Sequence, residues 1–301
     1  MTSKMLRLGL IGMSPGNGHP YSWSAICNGY DKDLMEDCGF PVIPRYLEKQ
    51  IYPDNFIHEA KVTHVWTQDK ELSEHIAKAS KIACTVTDFE DLIGSVDAVL
   101  LARDDAENHL HFAKPFLEAG VPIYIDKPLA LSVSEANNLL GLQSCAGQVF
   151  SCSALSYADE LAPESSELAS VGEIRSIIGF TPKGWDKYAV HVIDPLLGLL
   201  SDDDEVVQVS RWEAGGRISL HVQFSSGIDA QITAFGDCIV PITLKVIGTA
   251  GCIDLQFADA FQCFKNALQE FIASAREGKS RISVSRMLRV VSLIEMGRGV
   301  Q

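Results

Sequence analysis

The chain has 301 residues, 47% apolar and 21% charged, with no low-complexity tract. At about 150 residues per domain this is globular composition with room for two cores, which excludes a peptide, a disulfide miniprotein and a fibre. Its 39 acids against 25 bases give a net charge of −14; that field repels polyanions, so nucleic acid and anionic membranes are poor partners and a phosphate-bearing ligand needs a local cradle.

The first 150 residues alternate short apolar runs with helical spacing. Residues 6–11, 62–66, 96–102 and 121–125 read as strands, and 70–80 and 108–119 as helices, the second closing at Gly120. This alternation predicts right-handed crossovers and a parallel, doubly wound sheet. The stretch 30–60, rich in Pro, Tyr and charge, is too long for a simple connection and reads as an insertion. After a crossover helix over 132–142 the pattern changes to long β segments at 174–180, 206–212, 218–224, 228–235 and 242–247. Turns at Ser225-Ser226-Gly227 and Gly248-Thr249-Ala250-Gly251 separate consecutive members, and helices over 261–277 and 285–295 follow. The prediction is an α/β chain: a dinucleotide-binding domain over 1–150, then an α+β domain over 151–301 with an open, mostly antiparallel sheet.

The eight cysteines are scattered without a Cys-x-x-Cys pair, which argues against zinc and thioredoxin chemistry. His109 and His111, two apart on a helix, cannot face one metal, so no metal is expected. No apolar run approaches the roughly 20 residues of a membrane span, and the N-terminal run lacks a cleavage site; the expected location is the cytoplasm.

The first strand ends in Gly12-Met13-Ser14-Pro15-Gly16-Asn17-Gly18-His19. A glycine-rich turn there lets backbone amides approach a pyrophosphate, which nominates Gly12, Met13, Ser14, Gly16, Asn17 and Gly18; Ser14 replaces the usual second glycine, and a merely tight loop is the alternative. A side chain at Gly12 is expected to block the cofactor and spare the fold. Thr67 and Asp69 follow the second strand. An acid there can bind the adenosine ribose, and no arginine is near for a 2′-phosphate, so NAD is favoured over NADP; Asp69 is equally readable as the N-cap of the next helix.

With that turn, the order Asp97-Ala98-Val99-Leu100-Leu101-Ala102, His109, Leu117-Glu118-Ala119-Gly120 and Asp126-Lys127-Pro128-Leu129 resembles the Gfo/Idh/MocA oxidoreductase family over nearly the whole chain. The resemblance implies a Rossmann domain, NAD or NADP as cofactor, and a Lys127 that contacts nicotinamide and substrate. It places Asp126, Ala102 and Arg103 along the cofactor, with Arg103-Asp104 standing where the family has Thr-Pro. Burial beside other cations would ease proton release from Lys127. The family's Asp-x-x-x-His signature is matched at His191, but Lys187 stands four residues before it and Asp186 five. Helical spacing brings Lys187, Tyr188 and His191 together, so Asp186, Lys187, Tyr188 and His191 join Lys127 as candidate substrate ligands, with Lys127, His191 and Tyr188 as the catalytic set. Two lysines and a histidine suit a carboxylate or phosphate on the substrate. A solvated lysine and a core histidine are the bland alternatives.

The implied reaction is hydride transfer between nicotinamide and a ring carbon of a sugar, sugar-nucleotide or cyclitol. Alternatives are a lyase or glycosidase that retains NAD and oxidises transiently, and a catalytically silent nicotinamide-binding module. An antiparallel sheet with one helix-covered face leaves the other to be covered, which suggests a homodimer or homotetramer.

Overall fold

The computed structural model describes residues 4–299, and the chain forms two compact units. The first holds the chain through Leu129 together with Asn137–Ser151 and Ala260–Ser283. Its six strands are β1 (Leu6–Ile11), β2 (Ala60–Trp66), β3 (Cys84–Thr85), β4 (Ala98–Leu101), β5 (Ile123–Ile125) and β6 (Val149–Phe150). All are parallel, in the order β3-β2-β1-β4-β5-β6, the strand order of a Rossmann dinucleotide-binding sheet. β4 and β5 are buried along their whole length, because helices cover both faces of a parallel sheet. The chain reverses its winding between β1 and β4, so the loops after β1, β4 and β5 meet at the carboxyl edge, where such sheets take ligands.

The insertion forms two short helices, Lys32–Glu36 and Val42–Leu47. It walls the glycine turn: a Cβ on Gly18 would stand 2.7 Å from Ile43 and 2.8 Å from Phe40. The helix Ala260–Glu277 also belongs to this unit, with Phe261 against Phe56 and Phe271 against Tyr124 and Phe150. Sequence periodicity shows that 261–277 is helical but not which sheet it covers.

The second unit holds Ala130–Ala136, Cys152–Asp259 and the chain from Val284. Its sheet comprises β7 (Ile174–Thr181), β8 (Val206–Ala214), β9 (Arg217–Phe224), β10 (Asp229–Ala234), β11 (Thr243–Gly248) and β12 (Cys252–Gln256), in the order β12-β11-β7-β10-β9-β8. Every pair is antiparallel except β7 with β10. Gly215 and Gly216, at φ +57° and +75°, make the two-residue turn between β8 and β9. One face buries Ile177, Leu220, Val222, Ile232, Leu244 and Val246 beneath the helices Val190–Leu197 and Val284–Arg298. Gly179 lets the first of these approach, since a Cβ there would lie 2.9 Å from Leu244 and 3.2 Å from Val192. Among the described residues no helix is long and apolar enough to cross a membrane.

Candidate active site

The loop after β1 spans seven residues before the helix His19–Asn28, and its amides are unevenly used. In the helix's first turn, His19 N–H donates to Asn17 Oδ1 at 2.9 Å, Pro20 has no N–H, and the Tyr21 and Ser22 amides both donate to the Gly18 carbonyl at 3.1 Å. The helix terminus is therefore satisfied within the protein. The amides of Ser14, Gly16 and Gly18 donate to no group among the described residues. Gly16 sits at φ +79° with open space where a Cβ would stand, a conformation glycine adopts without strain. Loop amides rather than the helix terminus are thus what can face a diphosphate, in the manner of a backbone nest. Gly12 also serves packing, since a Cβ there would lie 2.6 Å from Pro20 Cγ. A side chain at Gly12 must therefore displace Pro20, so it is expected to cost stability as well as to block the cofactor.

The same loop is braced from β2 and β4. Gln68 donates to Met13 O at 2.8 Å and accepts from Met13 N–H at 3.2 Å, while Arg103 Nη1 donates to both Met13 O and Gln68 Oε1. The Arg103 guanidinium also pairs bidentately with Asp105 and lies 4.6 Å from the Phe112 ring centre. Burial pushes the Asp105 carboxyl up, but hydrogen bonds from Arg103 and Asn108 outweigh it and hold the group below its usual range. Arg103 is thus spent on the loop's geometry. Ala102, fully buried, donates its N–H to Ile11 O at 2.8 Å and closes the β4 edge. At the end of β2, Thr67 bonds the Asp69 carbonyl and Ser73, and Asp69 Oδ1 accepts the Glu71 and Leu72 amides as a helix N-cap.

Lys127 and Asp126 follow β5. Lys127 Nζ lies 3.5 Å from Asp104 Oδ2, and the Asp104 carboxylate also accepts the Ser14 hydroxyl at 2.6 Å through Oδ1. A carboxylate, Asp104, is thus among the groups beside the Lys127 ammonium. Asp126 is almost fully buried and accepts three hydrogen bonds: Lys127 N–H on Oδ1, and Asn17 Nδ2 and His19 Nδ1 on Oδ2. Burial alone would raise its pKa; the charges and hydrogen bonds of His19, Lys127 and Asn17 outweigh that and hold it ionised, well below the usual carboxylate range. His19 and Gln68 were not singled out from sequence. His19 stands in the glycine motif, but only the fold shows its partner, 107 positions away.

In the second unit, Tyr188 and His191 come together, ring centres 5.1 Å apart at 75°. His191 Nδ1 is 2.9 Å from Ser153 Oγ, and Ser153 N–H donates to Asp194 Oδ2. Asp194 in turn pairs with Arg286 at 3.0 Å. Tyr188 is met by Lys183, whose ammonium hydrogen-bonds the phenol and lies 4.3 Å from the ring centre. Lys183 stands at φ +62° and bridges to Gly236, a long-range contact that helical spacing cannot reveal. Asp186 instead pairs with Arg298 at 3.3 Å; Lys187, half-buried, flanks Tyr188 in the chain. No group of His, Cys, Asp and Glu able to hold a metal occurs among the described residues.

Residues 45–153 match the model of the oxidoreductase family with an NAD-binding Rossmann fold, Gfo/Idh/MocA, as the sequence resemblance suggests. No curated protein matches the sequence. Solved structures are similar over almost the whole chain at low identity. Apo scyllo-inositol dehydrogenase from Lactobacillus casei matches at TM-score 0.75 and 14% identity, covering 99% of this chain and 98% of that one. The same enzyme with NAD(H) and scyllo-inositol bound gives 0.73 and 13%, covering 97% and 96%. UDP-N-acetylglucosamine 3-dehydrogenase from Acidithiobacillus ferrooxidans gives 0.70 and 16%, covering 99% and 98%. At these identities the likeness establishes the fold.

Proposed function

We propose, from the match of residues 45–153 to the Gfo/Idh/MocA oxidoreductase model, that the protein is an NAD-dependent dehydrogenase or reductase acting on a CH–OH group of a cyclitol, sugar or sugar-nucleotide. One observation carries the reading. Ser14, in the loop whose amides can face a diphosphate, and Lys127, at the end of β5, are joined through the single carboxylate of Asp104. That link fixes the cofactor loop and the ammonium relative to each other, which is what a hydride transfer demands of its scaffold.

NAD, when bound, supplies the hydride acceptor or donor. The loop amides of Ser14, Gly16 and Gly18 bind its diphosphate, and Asp69 is the acid nearest the ribose position. Lys127 directs its ammonium at the reacting oxygen and stabilises negative charge there. In the second unit, Tyr188 and His191 are assigned to the substrate's polar groups with Lys187, and Lys183 holds the Tyr188 phenol. A second reading, a nicotinamide-binding module without turnover, draws on the satisfied helix terminus and the bracing of the loop by Arg103 and Gln68.

Calorimetric titration with NADH and NADPH tests the cofactor, followed by turnover with myo-inositol, scyllo-inositol and UDP-N-acetylglucosamine. NADH binding tighter than NADPH, with turnover of at least one of these, supports the dehydrogenase. NADH binding without turnover of any supports the module, and binding of neither nucleotide overturns both readings.

A further inference from the structure

We propose that Ser153 is the positioning residue of His191: its hydroxyl donates to Nδ1, so that the ring carries its hydrogen on Nε2 and His191 is a hydrogen-bond donor to a hydroxyl oxygen of the substrate. The inference rests on the oxidoreductase reading, which gives His191 to the substrate, and adds which ring nitrogen acts and what holds the ring.

Ser153 is fully buried, and its Oγ has two polar neighbours among the described residues: the Leu155 N–H at 3.2 Å, which can only donate, and His191 Nδ1 at 2.9 Å. A serine hydroxyl has one hydrogen to give, and Nδ1 is the acceptor within its reach. With a hydrogen on Nδ1, two donors would converge on Oγ and the buried Ser153 hydrogen would face no acceptor, a costly state for a polar group shut off from water. The lone pair therefore sits on Nδ1, and the hydrogen of the neutral ring on Nε2, across the ring from Nδ1.

Ser153 is held at this contact by the helix that carries His191. Its N–H donates to Asp194 Oδ2 at 2.8 Å, and Asp194 lies three residues after His191 on the helix Val190–Leu197. Arg286 pins Asp194 in turn, with Nε on Oδ1 at 3.0 Å and Nη2 on the Asp194 carbonyl. Ser153 also caps the short helix Ala154–Tyr157 through the Leu155 bond. The Tyr188 ring meets the imidazole edge-on at 5.1 Å and limits its rotation. Lys187, four residues before His191, bears an ammonium that only donates, so it cannot take a hydrogen bond from the ring. An Nε2–H selects an acceptor, and a hydroxyl oxygen of a sugar or cyclitol is one. No proton changes hands at this contact; it recognises the substrate.

Two measurements on the full chain test this. Ring-nitrogen NMR at about pH 8, above the ordinary histidine range, is expected to show His191 with hydrogen on Nε2 alone. Ser153→Ala is expected to shift the ring toward the Nδ1–H form, and Ser153→Thr, which keeps the hydroxyl, to restore it. Hydrogen on Nδ1 in the wild type overturns the proposal by itself. With whichever of myo-inositol, scyllo-inositol and UDP-N-acetylglucosamine the wild type turns over, Ser153→Ala is expected to lower kcat/KM by about tenfold, mainly through KM, and Ser153→Thr to recover it. A cap that served the fold alone would lower the urea midpoint and leave the tautomer where it was. If Ser153→Ala keeps the wild-type tautomer or the wild-type KM, this inference falls and the oxidoreductase reading stands. If the wild type moves no hydride with any of the three, the oxidoreductase reading fails and His191 loses its substrate with it.

Discussion

The Lys127 ammonium and the Asp104 carboxylate stand 3.5 Å apart with side chains 7% and 9% exposed. Removing one member of such a pair takes from the other a buried counter-charge, at a cost of roughly 3 kcal/mol. Lys127→Met is therefore expected to lower the thermal midpoint as well as slow hydride transfer by roughly 10²-fold. The double variant Lys127→Met with Asp104→Asn is expected to recover much of the stability and none of the rate. Calorimetric melting beside single-turnover kinetics separates the effects, and a smaller rate loss is expected from His191→Asn.

Gly12 and Gly16 are predicted to fail differently. A methyl at Gly12 meets the Pro20 ring at 2.6 Å, and overpacking of that kind costs about 1–3 kcal/mol. Gly16→Ala adds about 1–2 kcal/mol of backbone strain at φ +79° but touches nothing within 4 Å. Urea titration is expected to show both losses, whereas NADH affinity of the folded protein is expected to fall for Gly16→Ala, whose methyl stands at the loop's open side.

Gly297 tests packing in the second unit. A Cβ there would fall 1.9 Å from the Trp185 ring, and the indole is held by its bond to Ile294 O at 2.9 Å. Gly297→Ala is expected to cost more than the roughly 1–3 kcal/mol typical of overpacking, read as a lowered urea midpoint. Gly184→Ala, with nothing within 4 Å of its Cβ, is the control expected to change little.

Acid stability follows from Asp97. The Arg7 side-chain hydrogen bond lowers its pKa to about 2, against an opposing burial effect, from about 3.9 in an unfolded chain. A depressed carboxyl contributes stability that is fully present above the unfolded value and is lost as pH falls through the folded one. Urea midpoints of the wild type are therefore expected to decline between about pH 4 and pH 2, and Asp97→Asn to remove that part of the slope.

The limits of β1, the glycine turn and the Asp126-Lys127-Pro128 edge were legible because each is a local signal: a buried run, a punctuated turn, a strand end before proline. The two-residue strands β3 and β6 carry no such signal. The parallel pairing of β7 with β10 was hidden because turn residues specify only which consecutive strands are neighbours. Helical spacing correctly joined Tyr188 to His191, yet Lys183, not singled out, is the lysine seen on the Tyr188 phenol, because its orientation depends on the bridge to Gly236. The partners of Lys127, His19 and His191 lie 23, 107 and 38 positions away along the chain, distances over which residue pattern says nothing.

The central claim is that this chain moves hydride between nicotinamide and a CH–OH carbon, with Lys127 at the reacting oxygen. Incubation with NAD and carbon-deuterated myo-inositol, scyllo-inositol or UDP-N-acetylglucosamine, followed by mass analysis of the nucleotide, tests it most directly. Deuterium is expected on the nicotinamide ring with at least one of the three, and to be lost in the Lys127→Met, Asp104→Asn double variant. Tight NADH binding with no deuterium transferred from any of them, or undiminished transfer in the double variant, would contradict it.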